Sequence, residues 1–194
     1  MRKQAGGRAA RKMKPVILVL CEGKTEECYV DCLKQKYRLP IRVVSKVVGQ
    51  KISPELINRY KNEMRLCKSE QIDCFLLYDA DVPEIAERIA ACTGATAILS
   101  RPCLEVWFLA HTEKVPAADL SSAECLRRLT RTEEWKGYRK GFLSESEKKL
   151  LWDKRLEAMR NIAESSATGA AFSNIPEFIR ALEHYRQENK NGDR

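Results

Sequence analysis

Val16-Ile17-Leu18-Val19-Leu20-Cys21-Glu22-Gly23-Lys24-Thr25-Glu26 contains the change of periodicity on which the fold turns. Its first five residues form a continuous apolar, β-branched-rich run, the pattern of a strand buried on both faces. Tyr29, Val30, Leu33 and Tyr37 then recur at helical spacing, so a helix follows directly. The next segment repeats the alternation. Pro40 through Val48 reads as a second strand, and Ser53-Pro54 opens a helix with apolar positions Ile57, Tyr60, Met64 and Cys67.

Ile72–Tyr78 is a third buried strand running into Asp79-Ala80-Asp81. Pro83 begins a helix with a stripe of Ile85, Ala86, Ile89 and Ala90. Thr96–Leu99 is a short fourth strand, and Pro102 opens a helix carrying Val106, Trp107, Leu109 and Ala110. Four strands alternating with four helices predict an α/β fold: a parallel four-stranded sheet flanked by helices, with right-handed crossovers. In such sheets ligands bind at the carboxyl ends of the strands.

From about Ser121 the chain reads as helices alone: Ser121–Thr130, then Ser144–Ser165, then a last helix after Pro176. Ser144 and Glu147 have the spacing of a capping box. Trp152, Leu156, Met159 and Ala163 make one apolar face. The resulting organisation is a basic arm at 1–14, an α/β core at 15–115, a helical extension over 116–188 packed on the core, and a frayed end at 189–194.

The 194 residues suffice for one domain with a helical appendage, and 44% apolar with 32% charged residues places them among globular chains with an ordinary core. Net charge is +8, of which +6 sits in the first 14 residues and only +2 in the remainder. Such an arm either contacts nucleic acid or is a solvated terminus. The short apolar run after it, with Leu20 before Cys21 and Glu22 after, fails the pattern of a lipoprotein signal, and nothing approaches the length of a membrane span. Eight cysteines without a Cys-x-x-Cys pair favour neither zinc nor a disulfide framework; apolar settings such as those of Cys74 and Cys92 indicate a reducing cytoplasm.

The chemistry is carried by acids. Glu22 lies just beyond the first strand and Asp79 and Asp81 just beyond the third, which puts all three at one sheet edge. Residues two apart on an extended backbone point the same way, so Asp79 and Asp81 face one pocket and Glu22 joins them if the first and third strands are neighbours. Clustered carboxylates raise one another's pKa unless a cation sits among them, and hard oxygen ligands suit Mg²⁺ or Mn²⁺. The competing reading is that each acid caps the next element, Asp81 offsetting the dipole of the following helix. Glu26, a turn from Glu22, is either a further ligand or an exposed ion-pair partner. Lys24 either meets a phosphate or is solvated.

Cys21-Glu22-Gly23-Lys24-Thr25-Glu26, Tyr78-Asp79-Ala80-Asp81 and Ser100-Arg101-Pro102-Cys103-Leu104-Glu105-Val106-Trp107-Phe108-Leu109-Ala110-His111, in that order, resemble the RloB family of Toprim-domain proteins from bacterial restriction and phage-defence loci. With the helical tail and its Asn-Ile-Pro segment, the likeness spans residues 15 to about 186. The chain departs from the family at Arg101, where an Asn-like residue is usual, and at Leu104, where Phe is common. The resemblance implies a Toprim-like (Rossmann-like) core, with the family's glutamate at Glu22 and its Asp-x-Asp at Asp79 and Asp81. It also implies a companion ATPase.

The activity so implied is that of a metal-dependent nuclease acting on DNA or RNA in phage defence, with Glu22, Asp79 and Asp81 holding Mg²⁺ or Mn²⁺ and Lys24 neutralising the scissile phosphate. Glu105 is either an added site carboxylate or a first-turn helix acid. Trp107 and Phe108, at helical spacing among apolar neighbours, read as core. His111 has either a catalytic role or one at a helix end. Residues 127–160 carry 11 basic against 6 acidic side chains, either to follow a nucleic-acid backbone or as a solvated face. The alternative functions are a non-catalytic nucleic-acid- or nucleotide-binding regulatory subunit and a structural oligomer. The size leaves no room for a topoisomerase or primase.

Overall fold

A computed structural model describes residues 16–38, 42–65, 72–116, 118–168 and 171–192. The basic arm, Pro15, Pro40, Ile41 and Cys67 lie outside the described residues. The elements run β1 (Val16–Cys21), α1 (Lys24–Tyr37), β2 (Arg42–Val47), α2 (Pro54–Met64), β3 (Ile72–Asp79), α3 (Pro83–Ala91) and β4 (Thr96–Arg101), then α4 (Glu105–Leu109), α5 (Ser122–Leu129), α6 (Glu145–Asp153), α7 (Arg155–Thr168), β5 (Phe172–Ser173) and α8 (Ile175–Gly192). The sheet order is β2-β1-β3-β4-β5, with β1 to β4 parallel and β5 antiparallel.

Every residue of β1 is buried because both of its faces are covered. Ile17, Val19 and Cys21 point to the side packed by α1, α4 and the C-terminal helices, where Trp107, Phe108, Phe178 and Ile179 join the same core. Val16, Leu18 and Leu20 point to the other side, against Ile57 of α2 and Ile85 and Ile89 of α3. The period of two in the strand thus supplies two cores at once. Leu182 of α8 shares its core with Ile17 of β1, so the extension and the sheet are packed together.

The structure differs from the sequence reading in four places. The sheet gains a fifth strand of two residues, too short to carry a periodic signal. Its reach is extended by the Asn174 side chain, which accepts from the Leu99 N–H at 2.6 Å and donates to the Ala97 carbonyl at 3.0 Å. Pro102 does not open a helix: β4 runs on through Arg101, which pairs with Phe172 of β5, and α4 starts only at Glu105. The single helix expected over 144–165 is two, broken at Lys154, so that α6 meets α1 and α7 meets α4 and β5. That break turns Leu156 outward to 60% exposure, and Ala158 and Ile162 fill the core instead. Finally, α8 continues to Gly192, where fraying was expected from 189 onward.

The Ser144 box is formed: the Glu147 N–H donates to Ser144 Oγ at 3.3 Å, and the Ser144 N–H donates to Glu147 Oε2 at 2.6 Å. Ser144→Ala is expected to cost about 1 kcal/mol, lowering the melting temperature by about 2–4 °C, whereas Ser144→Asp retains most of the stability. Urea denaturation of the three proteins checks this.

Candidate functional site

The β1/β3 pairing aligns Cys21 with Leu77, and the ladder continues one step further as the Glu22 N–H donates to the Leu77 carbonyl at 3.0 Å. Glu22 is therefore held beside the end of β3, where its Oε2 accepts from the Asp79 N–H at 2.9 Å. Asp79 is the last residue of β3, and its Oδ1 accepts from the Leu104 N–H at 2.9 Å. Each of these two carboxylates uses one oxygen on backbone and leaves the other, Glu22 Oε1 and Asp79 Oδ2, without a hydrogen-bond partner among the described residues.

Two further acids close in from helix starts. Glu26, buried in the first turn of α1, accepts from the Gly23 N–H at 2.9 Å through Oε2. A Cβ on residue 23 would lie 3.1 Å from that oxygen, so glycine permits the approach. Glu105, the first residue of α4, is only 1% exposed. It accepts from the Tyr138 hydroxyl at 2.8 Å and pairs with Lys140 Nζ at 3.4 Å. The loop carrying Tyr138 and Lys140 is tied to α1 through the Gly141 N–H, which donates to Thr25 Oγ1 at 2.9 Å.

The electrostatics follow from this crowding. Burial, then the charges of Glu26, Glu22 and Glu105, push the Asp79 carboxyl up to about 8, against which the Leu104 N–H acts only partly. Burial also raises Glu26, with Glu105 and Glu22 adding to it. Burial raises Glu22, as does the nearby Asp81, while the Asp79 N–H and Lys140 oppose the rise. For Lys140, burial works against the charge, but Glu105 and Asp79 outweigh it and the ammonium is held more firmly. The site is a carboxylate cluster with one ammonium on it.

Glu22, Asp79, Glu26 and Glu105 are thus brought together. Asp81 is not in the same position: β3 ends at Asp79, the two-residue alternation ends with it, and Asp81 lies exposed at the rim with Oδ2 accepting from Ser122 Oγ at 3.4 Å. Lys24 is exposed and pairs with Glu27 at 2.5 Å, outside the cluster. The cation on the cluster, Lys140, and the residues that seat its loop, Thr25 and Tyr138, were not identified from sequence; Lys140 was only one of many charges in a basic helical stretch. Among the described residues no three His, Cys, Asp or Glu side chains converge closely enough to cage an ion unaided.

His111 is fully buried between the Trp107 carbonyl, 2.8 Å from Nδ1, and the Leu151 carbonyl, 3.1 Å from Nε2. It links α4 to α6 away from solvent, and burial pushes it down to about 4, with the two carbonyls opposing the fall. Trp107 donates from Nε1 to the Tyr29 hydroxyl at 2.8 Å, and Phe108 stacks on Trp135 at 5.3 Å, so both are core. All seven described cysteines are free thiols. No helix among the described residues is long and apolar enough to cross a membrane.

These features define a Rossmann-like α/β protein with an acidic cluster at the carboxyl edge of its sheet. The sequence model of the RloB-like protein family matches residues 17–182, and the chain belongs to that family. No curated protein and no solved structure matches it.

Proposed function

We propose that this RloB-like protein is a Toprim-type nuclease that uses Mg²⁺ or Mn²⁺ to hydrolyse phosphodiester bonds of DNA or RNA, acting in phage defence with a companion ATPase. The observation that carries the reading is Asp79, a strand-end carboxyl pushed up to about 8 by burial and by three neighbouring carboxylates, with a single ammonium to offset them. Carboxylates crowded in this way are relieved by a divalent cation.

The donor set fits one. Glu22 and Asp79 each keep an oxygen without a protein partner, both are hard ligands, and Mg²⁺ is commonly held by one or two carboxylates, with water and substrate phosphate completing its shell. Glu22 and Asp79 would hold the ion, with Asp81 at the rim. When bound, such an ion stabilises charge on a phosphodiester oxygen and acidifies water.

The chain's own groups do the rest. The Asp79 and Leu104 N–H groups fix the two carboxylates in orientation. Glu22, half-buried with its carboxyl raised, is competent as base or acid. Glu105 anchors Lys140 at the mouth, where an ammonium receives phosphate.

With Mg²⁺ or Mn²⁺ the wild type is expected to cut DNA or RNA, EDTA to stop it, and Glu22→Gln to lower the rate by about 10²-fold or more. Cut ends are counted on labelled substrates, with and without the ATPase. Intact substrate under every condition replaces the nuclease with a nucleic-acid- or nucleotide-binding regulatory subunit.

A further inference from the structure

The loop that brings Lys140 to the cluster ends in a tight turn, Arg139-Lys140-Gly141-Phe142. Phe142 bridges back to Arg139, its N–H donating to the Arg139 carbonyl at 3.2 Å, and Gly141 supplies the φ of +79° that the turn needs. Four anchors hold it: the Gly141 N–H on Thr25, the Cys28 thiol donating to the Gly141 carbonyl at 3.2 Å, Lys140 on Glu105, and the Lys24 stem packed against Gly141. On this fixed turn Phe142 is 61% exposed, and it is the only exposed Phe, Tyr or Trp among the described residues. Arg139, also exposed, makes no ion pair among them.

A rigid, solvent-facing aromatic ring flanked by cations is the arrangement that receives a base face and its phosphates. The Cα atoms of Lys140 and Phe142 are at most about 7 Å apart, so the ring is carried on the same turn as the residue that pairs with Glu105. In a duplex the base faces are taken up by stacking and a side chain cannot lie on them; an unpaired strand offers them freely.

We propose that the Arg139–Phe142 turn is a nucleotide-binding finger: Phe142 stacks on an unpaired base of a single-stranded nucleic acid while Arg139 and Lys140 hold its phosphates beside the carboxylates. The inference rests on the reading of the cluster as a phosphodiester site and names its substrate class. DNA and RNA share the base face and the phosphate, so the turn accepts both, and the relative affinities distinguish them.

The test is binding in EDTA, where no cutting occurs. Single-stranded DNA and RNA oligonucleotides carrying 2-aminopurine are titrated with the full chain, reading anisotropy for affinity and base fluorescence for stacking. Wild type is expected to bind and quench; Phe142→Ala to bind about tenfold more weakly and lose the quenching; Phe142→Trp to restore both; and duplex affinity to be unmoved by either change. Thermal melts confirm that the surface variants fold. Absence of binding by the wild type, or equal affinity and quenching in Phe142→Ala, overturns the finger, including the case in which Phe142 docks a protein partner instead. Quenching by a chain that never cuts nucleic acid upholds the finger and removes the nuclease, whereas metal-dependent cutting with no effect of Phe142 does the reverse.

Discussion

Asp79→Asn is expected to lower metal-dependent cleavage on the order of 10³-fold and, in the same protein without metal, to raise the melting temperature at pH 8. The two effects have one origin. The folded carboxyl is pushed up to about 8, whereas in the unfolded chain it sits near the ordinary aspartate value of about 3.9. Between these values the unfolded state binds fewer protons than the native state, so stability falls as pH rises through that window. Below about pH 4 both states are protonated and the penalty vanishes. Asparagine carries no charge at any pH, and its carbonyl can still accept from the Leu104 N–H. The melting temperatures of variant and wild type, measured in EDTA, are therefore expected to converge near pH 4 and to separate steadily toward pH 8. Added Mg²⁺ raises the wild type toward the variant. Parallel curves across the pH range, or cleavage undiminished in the variant, contradict the assignment of Asp79.

Trp107→Ala is expected to be the most damaging core substitution, at about 4 kcal/mol, which for a chain of this size is about 10 °C in melting temperature. The side chain is completely buried, sits edge-on to His111 at 4.7 Å, and holds the Tyr29 hydroxyl by its Nε1–H. Its removal leaves a cavity between α1 and α4 and a buried hydroxyl that has lost its donor, and the two costs add. Trp107→Phe keeps most of the volume and is expected to lose less than half as much. Because α1 and α4 present Glu26 and Glu105, the alanine variant is also expected to lose the melting-temperature increase that Mg²⁺ gives the wild type. Urea denaturation followed by circular dichroism measures the first effect, and a Mg²⁺ titration of the melting temperature the second.

The parallel core was legible because its strands are buried on both faces: Val16–Cys21 is an uninterrupted apolar run, Ile72–Tyr78 is broken only at Asp73, and each is followed by a helix with its own period. Glu22 and Asp79 were legible for the same reason, since adjacency of β1 and β3 brings two strand ends together. What was hidden depends on contacts remote in sequence. Phe172-Ser173 is a strand only because β4 and Asn174 complete it. Lys154 breaks a well-patterned helix because α6 and α7 pack on different partners. Lys140 reaches Glu105 across 35 positions of chain through a turn whose only local mark is Gly141. Asp81 illustrates the converse, a local rule applied two residues past the end of the strand that justified it.

The amide of Asn174 acts as a stopper. It holds the Leu99 N–H and the Ala97 carbonyl, two groups of β4 that lie beyond its pairing with the two-residue β5. On the opposite margin β2 carries exposed Arg42 and Lys46, which set like charges against a second copy approaching by strand addition.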